Sequence, residues 1–329
     1  MKLTAAAIAL SSLVGAAASA ETLRFSSFEP PVAFLTKEVF TGWAENVTAA
    51  SGGEVTVKMF PGGTLGRSPA QQLQMVQDGV ADIAFIVPGY NPGVFSGVTV
   101  GELPFTVTNA KNGSEAIWSL YAQGMLDGDF DKFRIIGIFT TSPQAIASKS
   151  RIDLPADMNG KNFRASSPNL LVAIEQMGAV PVGGITGPTI AESVSRGLID
   201  GSFNEWNALK SFRIMEAVDN VLEVPMGTTP LMVVMNKEKY EGLSEKGKAA
   251  VDQFSGAAFA SAFGEAFEGQ NSAVRAEAVA AGKLNIIEPS DDQVAAWKAA
   301  TQPAIDAWIA ATPDGQAVYD AFVAAMAAN

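Results

Sequence analysis

The sequence contains neither cysteine nor histidine. Without cysteine, its stability depends on no disulfide, and thiolate nucleophiles and thiolate metal ligands are excluded. Without histidine, serine–histidine nucleophile pairs and imidazole metal sites are excluded as well. Carboxylates or lysines could still support catalysis, but these absences favour a protein that is not an enzyme. We expect no catalytic residues, no cofactor and no bound metal.

Basic residues are also scarce. The chain has 22 Lys and Arg against 34 Asp and Glu, which gives a formal net charge of −12 at pH 7. Nucleic acids and anionic membrane surfaces are bound by clustered Lys and Arg. We therefore predict no nucleic-acid partner. Beyond the first twenty residues no stretch is apolar enough to span a bilayer, so we predict no direct insertion into a membrane.

The first twenty residues have the pattern of a secretory signal peptide. Lys2 supplies a positive start, the run "LTAAAIALSSLVGAAA" is apolar, and Ala18-Ser19-Ala20 resembles a cleavage site. We therefore predict that residues 1–20 are a signal peptide, a retained N-terminal anchor being the alternative. Export of a chain without cysteine favours the bacterial periplasm over a disulfide-rich secreted class.

Two stretches of the chain share one order of predicted elements. The strands "TLRFSSF", "GEVTVKMF" and "ADIAFIV" alternate with helices over 33–50 and 69–79. The strands "GKNFRA", "AVPVGGI" and "LIDGSFN" alternate with the helix "NLLVAIEQM" and a helix over 188–196. Such β-α-β-α-β order predicts mainly parallel sheets covered by helices. The fold class is therefore α/β, with two lobes.

The rest of the chain has helical patterns. An alanine-rich pattern runs from about Leu243 to Ala281 with scarcely a breaker, which predicts one long helix that spans both lobes. A further helix is predicted from about Asp291 to Ala310, and a short one ends the chain.

Arg164 stands out because it ends a predicted strand directly before a helix start at Ser167-Pro168. Ligands of open parallel sheets bind outside the carboxyl ends of strands, and a helix N-terminus favours anions. A guanidinium can hold a carboxylate through two parallel hydrogen bonds. Arg164 is therefore a candidate for binding the carboxylate of a ligand, unless it pairs with Asp157 or Glu175 of the protein.

Several segments resemble, in family order, the solute-binding proteins of tripartite ATP-independent periplasmic (TRAP) transporters, typified by the C4-dicarboxylate-binding component. They are "FPGGTLG", "MVQDGVADIAF", "LPF", "DMNGKNFRASSPNLLVAIEQMGAVPV", "ESVSRGLIDGSFN" and "VVMNKEKYEGLSEKGKAAV". The resemblance covers nearly the whole chain after residue 20. It implies a two-lobed, type II-like periplasmic binding protein that closes around a small organic acid. The implied partner is a membrane permease with a small and a large subunit.

The resemblance also implies roles for single residues. Arg164 occupies the position of the arginine that binds the ligand carboxylate, and Asn204 that of a common ligand contact. Gln144 stands where some members carry a second arginine. Together with the pair Glu205-Trp206, Gln144 is also similar to a cation-holding pattern of keto-acid binders, although the pair is displaced by two residues. Trp206 could stack on a ligand or be a core residue.

The first lobe offers two further candidates. Phe28 and Tyr90 each follow a predicted strand and could line the cleft opposite Arg164, or simply pack. We predict that the first lobe comprises 21–142 and 230–269 and that the second comprises 143–229 and 270–329.

The missing second arginine and the apolar neighbours of the motif favour a monocarboxylate, such as a keto, hydroxy or aromatic acid. A receptor for another transporter or a sensor is the alternative. A carboxylate-dependent enzyme using Glu205 and Asp200 is the third class of function.

Overall fold

The computed structural model describes residues 20–328. The predicted signal peptide, residues 1–20, lies outside this range except for Ala20. The strands are β1 (Glu21–Ser26), β2 (Val55–Phe60), β3 (Ile83–Ile86), β4 (Phe133–Thr140), β5 (Ala145–Ser148), β6 (Asn162–Arg164), β7 (Val180–Val182), β8 (Gly201–Asn204), β9 (Asn220–Leu222), β10 (Pro230–Asn236) and β11 (Asn285–Ile287). The helices are α1 (Thr41–Ala50), α2 (Gln72–Gln77), α3 (Ala110–Ala122), α4 (Pro168–Gln176), α5 (Ile190–Ser195), α6 (Trp206–Ser211), α7 (Lys237–Glu241), α8 (Glu245–Gln253), α9 (Ala257–Ala281), α10 (Asp291–Ala311) and α11 (Gly315–Ala328). No described helix is both long and apolar enough to cross a membrane.

Two sheets form the centres of two lobes. The first sheet has the order β2-β1-β3-β10-β4, and the second has the order β11-β9-β5-β8-β6-β7. The two predicted β-α-β-α-β units have the same arrangement. In each, the strand that comes first in sequence, β1 or β6, lies in the middle and pairs in parallel with the other two. The predicted two-lobed α/β fold is confirmed.

The sequence analysis did not predict strands β4, β5, β9, β10 and β11, and it gave the rest of the chain only helical patterns. Two of these strands, one in each sheet, are antiparallel to their neighbours. In the first sheet β10 runs antiparallel to β3 and β4, and in the second β5 runs antiparallel to β8 and β9. Both strands are apolar and buried. A buried strand reads as a continuous apolar run whichever way its neighbours point, so its direction is not visible in the sequence.

Two of the connections between the sheets are the adjacent segments 141–144 and 223–229. These segments are hydrogen-bonded to each other: Gln144 N–H donates to the Gly227 carbonyl at 2.8 Å, and Met226 N–H donates to the Gln144 carbonyl at 3.0 Å. The two connections therefore form one short backbone ladder between the lobes. The exact boundaries of the lobes stay a prediction.

Helix α9 spans both lobes, as predicted. Phe259, Phe263 and Phe267 pack in a hydrophobic cluster of the first lobe, whereas Val274 and Ala278 pack in a cluster of the second. At about 1.5 Å per residue its 25 residues extend about 37 Å.

The prediction of one unbroken helix over 243–281 is wrong. Helix α8 ends at Gln253 and α9 begins at Ala257. Between them Gly256 adopts a φ of +73°, and its N–H donates to the Ile136 carbonyl at 2.7 Å. Glycine enters this backbone region without steric cost, so a single residue breaks an otherwise helical pattern.

Helix α10 is a second helix that passes between the lobes. Trp297 and Ala304 pack in a cluster of the second lobe, whereas Ile305 and Trp308 pack in a cluster of the first. Helix α11 continues in the first-lobe cluster. The end of the chain therefore packs on the first lobe, unlike the predicted assignment of 270–329 to the second. The amphipathic pattern of α11 is compatible with packing on either sheet, so the sequence alone did not show which lobe this helix joins.

Candidate functional site

A cavity of about 50 Å³ lies between the two sheets, where strand ends of both lobes meet. Its walls carry five aromatic rings, which belong to Phe28, Phe85, Tyr90, Phe212 and Phe267. Its titratable side chains are Glu29, Tyr90, Arg164 and Glu205. Of the seven site residues predicted from the sequence, five line this cavity: Phe28, Tyr90, Arg164, Asn204 and Glu205.

Arg164 is buried at the end of β6, with 2% of its surface exposed. Its Nε donates to the Ile185 carbonyl at 2.8 Å, and its Nη2 donates to the Tyr90 hydroxyl at 3.0 Å. Within residues 20–328 no carboxylate forms a salt bridge with it. Asp157, one alternative partner, accepts from the backbone N–H groups of Asp153 and Leu154 instead. The guanidinium thus presents a buried positive charge to the cavity.

Tyr90, a residue of the first lobe, contacts Arg164. Its hydroxyl oxygen accepts hydrogen bonds from Arg164 Nη2 and from Gly187 N–H, the latter at 3.1 Å. Because both bonds are accepted by the oxygen, the hydroxyl proton of Tyr90 remains free to be donated. Arg164 and Tyr90 therefore present N–H and O–H donors from opposite lobes, a combination that suits a carboxylate.

Phe28 and Phe212 form a stacked aromatic pair across the cleft. Phe28 follows β1 in the first lobe and Phe212 follows α6 in the second, and their ring centroids are 6.5 Å apart with an interplanar angle of 20°. Phe28 also stacks on Phe85, with centroids 5.1 Å apart. Nearly parallel rings on opposite lobes favour a flat, apolar ligand body.

Asn204 ends β8 beside Arg164, since β6 and β8 are parallel neighbours. Its Oδ1 accepts from Ser202 Oγ at 2.7 Å, which orients the amide and leaves its NH₂ group to donate. Asn204 therefore adds a donor on the same side of the cavity as Arg164.

Two buried carboxyl groups complete the cavity wall. Glu205 caps α6, with its Oε1 accepting from Ala208 N–H at 2.8 Å, and burial raises the pKa of Glu205 to about 7. Burial first, and then the nearby charge of Glu205, raises the pKa of Glu29 to about 8. The Glu29 Oε2 atom is shielded from solvent and has no hydrogen-bond partner in the described part of the chain. Glu29 was not predicted as a site residue, because the segment Phe28-Glu29-Pro30 also fits an ordinary loop.

Trp206 and Gln144 lie outside this cavity, which corrects their predicted positions. Both line a neighbouring pocket of about 220 Å³ beside the two lobe connections. Trp206 packs in a second-lobe cluster and its Nε1 donates to Glu223 Oε1 at 2.9 Å, because it lies on the opposite face of α6 from the cavity. Gln144 Nε2 donates to Thr229 Oγ1 at 2.8 Å.

Gln144, Glu205 and Trp206, which are similar to a cation-holding pattern, are therefore split between two pockets. Among residues 20–328 the structure places no group of three or more acidic, His or Cys side chains that could hold a metal ion.

The lobes also touch beside the cavity. Glu102 of the first lobe accepts from Ser167 Oγ at 2.5 Å and from Asn169 Nδ2 at 3.2 Å, both in the second lobe. Burial raises the pKa of Glu102 to about 7. Gly89 is so close to the second lobe that an added Cβ would lie 2.7 Å from Ser167 Cβ and 2.8 Å from the Ser166 carbonyl oxygen. These contacts hold the cleft in a closed arrangement.

A family model described as bacterial extracellular solute-binding protein, family 7, matches residues 25–311. Among solved structures, the chain is similar to a marine metagenome TRAP solute-binding protein from an unidentified microbe, described as specific for aromatic acid ligands and in complex with 3-hydroxybenzoate. The two are 31% identical with a TM-score of 0.89, over 94% of this chain and 99% of that one.

Two further relatives share 27% identity with the chain. One is the structure of a TRAP solute-binding protein from Rhodoferax ferrireducens T118 in complex with copurified benzoate, with a TM-score of 0.88 over 93% of this chain and 98% of that chain. The other is named outer membrane transporter protein TsaT, from Comamonas testosteroni, and the match covers 99% of this chain and 97% of the relative.

Proposed function

The chain belongs to family 7 of the bacterial extracellular solute-binding proteins, the solute-binding proteins of TRAP transporters, and on this premise we propose that it captures a small aromatic monocarboxylate between its lobes. In this role it is a periplasmic receptor that hands the acid to a membrane permease with a small and a large subunit. It acts as a carrier and not as an enzyme.

The observation that carries the proposal is the environment of Arg164. Within the described residues its buried guanidinium forms no salt bridge, although its charge acts on Glu205, and it faces a cavity lined by five aromatic rings. A charge in such a place is unfavourable unless it is paired. An acid with a flat apolar body satisfies both parts of the site, with its carboxylate on Arg164, Tyr90 and Asn204 and its ring against the aromatic wall that includes Phe28 and Phe212.

The same arrangement supports capture by closure. In an open cleft Arg164 is hydrated, and closing the lobes without an anion removes that water from an unpaired charge. A bound carboxylate offsets this penalty, so the ligand prefers the closed state, as any ligand that shifts an equilibrium must. The aromatic relatives support the choice of acid: the one at 31% identity is described as specific for aromatic acid ligands, and one at 27% holds benzoate.

We expect benzoate or a substituted benzoate to raise the melting temperature of the purified protein. A ligand at 100 times its dissociation constant stabilises the native state by about 2.7 kcal/mol, which gives a shift of several degrees. Benzamide is the matched control, because it has the same ring and shape but no carboxylate charge.

The proposal would be contradicted by equal shifts with benzamide and benzoate, or by no shift with any aromatic acid. Recovering the bound acid chemically unchanged and in 1:1 amount separates a carrier from an enzyme.

A further inference from the structure

The cavity contains a second polar region that the carboxylate contacts do not use. Glu29 follows β1 in the first lobe and Glu205 follows β8 in the second, so they line one cavity only when the lobes are together. Glu29 is 4% exposed and Glu205 is 3% exposed. Of the four titratable side chains lining the cavity, Arg164 and Tyr90 are bonded to each other, whereas no hydrogen bond within residues 20–328 joins either of them to Glu29.

Two carboxyl groups in one small cavity cannot both be charged at low cost. Burial raises the pKa of Glu29 to about 8 and that of Glu205 to about 7, so the pair holds a proton at neutral pH and can donate a hydrogen bond. Glu205 Oε1 accepts a hydrogen bond from Ala208 N–H, and its Oε2 can accept a further hydrogen bond. The pair thus offers one donor and one or more acceptors, the complement of a hydroxyl group.

We propose that Glu29 and Glu205 form a second recognition point that binds a hydroxyl group on the ring of the aromatic acid. This inference rests on the proposed function and adds the substrate class, a hydroxy-substituted aromatic carboxylate. The orphaned Oε2 of Glu29 supports it most directly, because a buried oxygen without a partner is costly and a ligand hydroxyl satisfies it.

The same geometry disfavours two other ligand classes. An unsubstituted ring leaves Glu29 Oε2 unpaired, and a second carboxylate on the ring meets the two acidic groups and is repelled. We therefore expect the order hydroxybenzoate, then benzoate, then benzenedicarboxylate. Sites built to bond a hydroxyl reject analogues that lack it, because their own polar groups are then left unpaired.

The test is isothermal titration of the full chain without residues 1–20, using benzoate and the three hydroxybenzoate isomers. In the native protein we expect the best isomer to bind about tenfold more tightly than benzoate, the effect of one buried hydrogen bond. Glu29→Leu should reduce this ratio to about one by weakening hydroxybenzoate binding. Glu29→Gln, which keeps a donor and an acceptor, should retain most of the ratio.

Glu45→Leu is the control, since Glu45 is an exposed glutamate of the first lobe and should leave the ratio unchanged. If benzoate binds as tightly as every isomer, or if Glu29→Leu keeps the native ratio, the inference is overturned while the proposed function stands. If the native protein binds none of these acids, the proposed aromatic class fails and the inference fails with it.

Discussion

Replacing Arg164 with alanine is expected to weaken binding of the cognate acid by about 100- to 10,000-fold while the protein remains folded. A charge-assisted hydrogen bond contributes about 1.5–3 kcal/mol, and a bidentate carboxylate loses two of them. The variant also leaves the ligand carboxylate in a closed, apolar cavity without a counter-charge, which adds a cost of its own. Titration calorimetry with benzoate and hydroxybenzoates measures the loss, and circular dichroism checks the fold.

Two further substitutions sharpen this experiment. Arg164→Lys keeps the charge but lacks the planar fork, so it should also bind poorly. Arg196→Ala removes an exposed arginine of the same lobe, whose partner Glu192 lies on the surface, and should bind normally. Near-native affinity in Arg164→Ala would show that the carboxylate is held elsewhere.

Replacing Gly89 with alanine is expected to weaken ligand binding by about 5- to 150-fold without lowering the stability of the unliganded protein. The new Cβ would lie under 3.0 Å from Ser167 Cβ and from the backbone oxygen of Ser166, both in the other lobe. Overpacking of this kind costs about 1–3 kcal/mol, and here the two closest contacts exist only when the lobes meet, whereas the third, Glu102 Oε1 at 3.3 Å, is the end of a side chain in the same lobe. Small-angle scattering should show that the radius of gyration of the native protein falls on ligand addition, and that the variant needs far more ligand for the same fall.

Gly42→Ala is the matched control for Gly89→Ala. It makes the same change in the same lobe, at a position where a Cβ meets nothing within 4 Å. Unaltered affinity in Gly89→Ala would refute closure onto Ser166 and Ser167. An unchanged scattering profile of the native protein at saturating ligand would mean that its cleft is already closed before binding.

The sequence was sufficient for the two parallel units β1–β3 and β6–β8, since their strands and helices have a clear periodicity and are bounded by glycine or proline. Arg164 and Asn204 were found for the same reason: the carboxyl ends of parallel strands lie at one edge of the sheet. Strands β4, β5, β9, β10 and β11 were not predicted, because short buried apolar runs do not by themselves distinguish a strand from a helix and carry no sign of direction.

The site residues that sequence reasoning misplaced or missed depend on which way a side chain faces. Trp206 and Glu205 are adjacent in sequence, yet one packs in the second-lobe core and the other lines the cavity. Phe212 and Glu29 line the cavity through loops whose course is set by packing of whole lobes. Such orientations arise from long-range contacts, so no local pattern contains them.

Helix α10 has a mechanical consequence. A helix resists stretching, so α9 and α10 keep a fixed length between the lobes. We therefore expect the lobes to rotate relative to each other and not to move apart along these helices. Pro303 lies in α10 one residue before the point where its packing changes from one lobe to the other, between Trp297 and Ile305. Proline has no N–H to donate to the carbonyl four residues earlier, so the helix is softest there. We therefore expect α10 to bend near Pro303 when the lobes open and close.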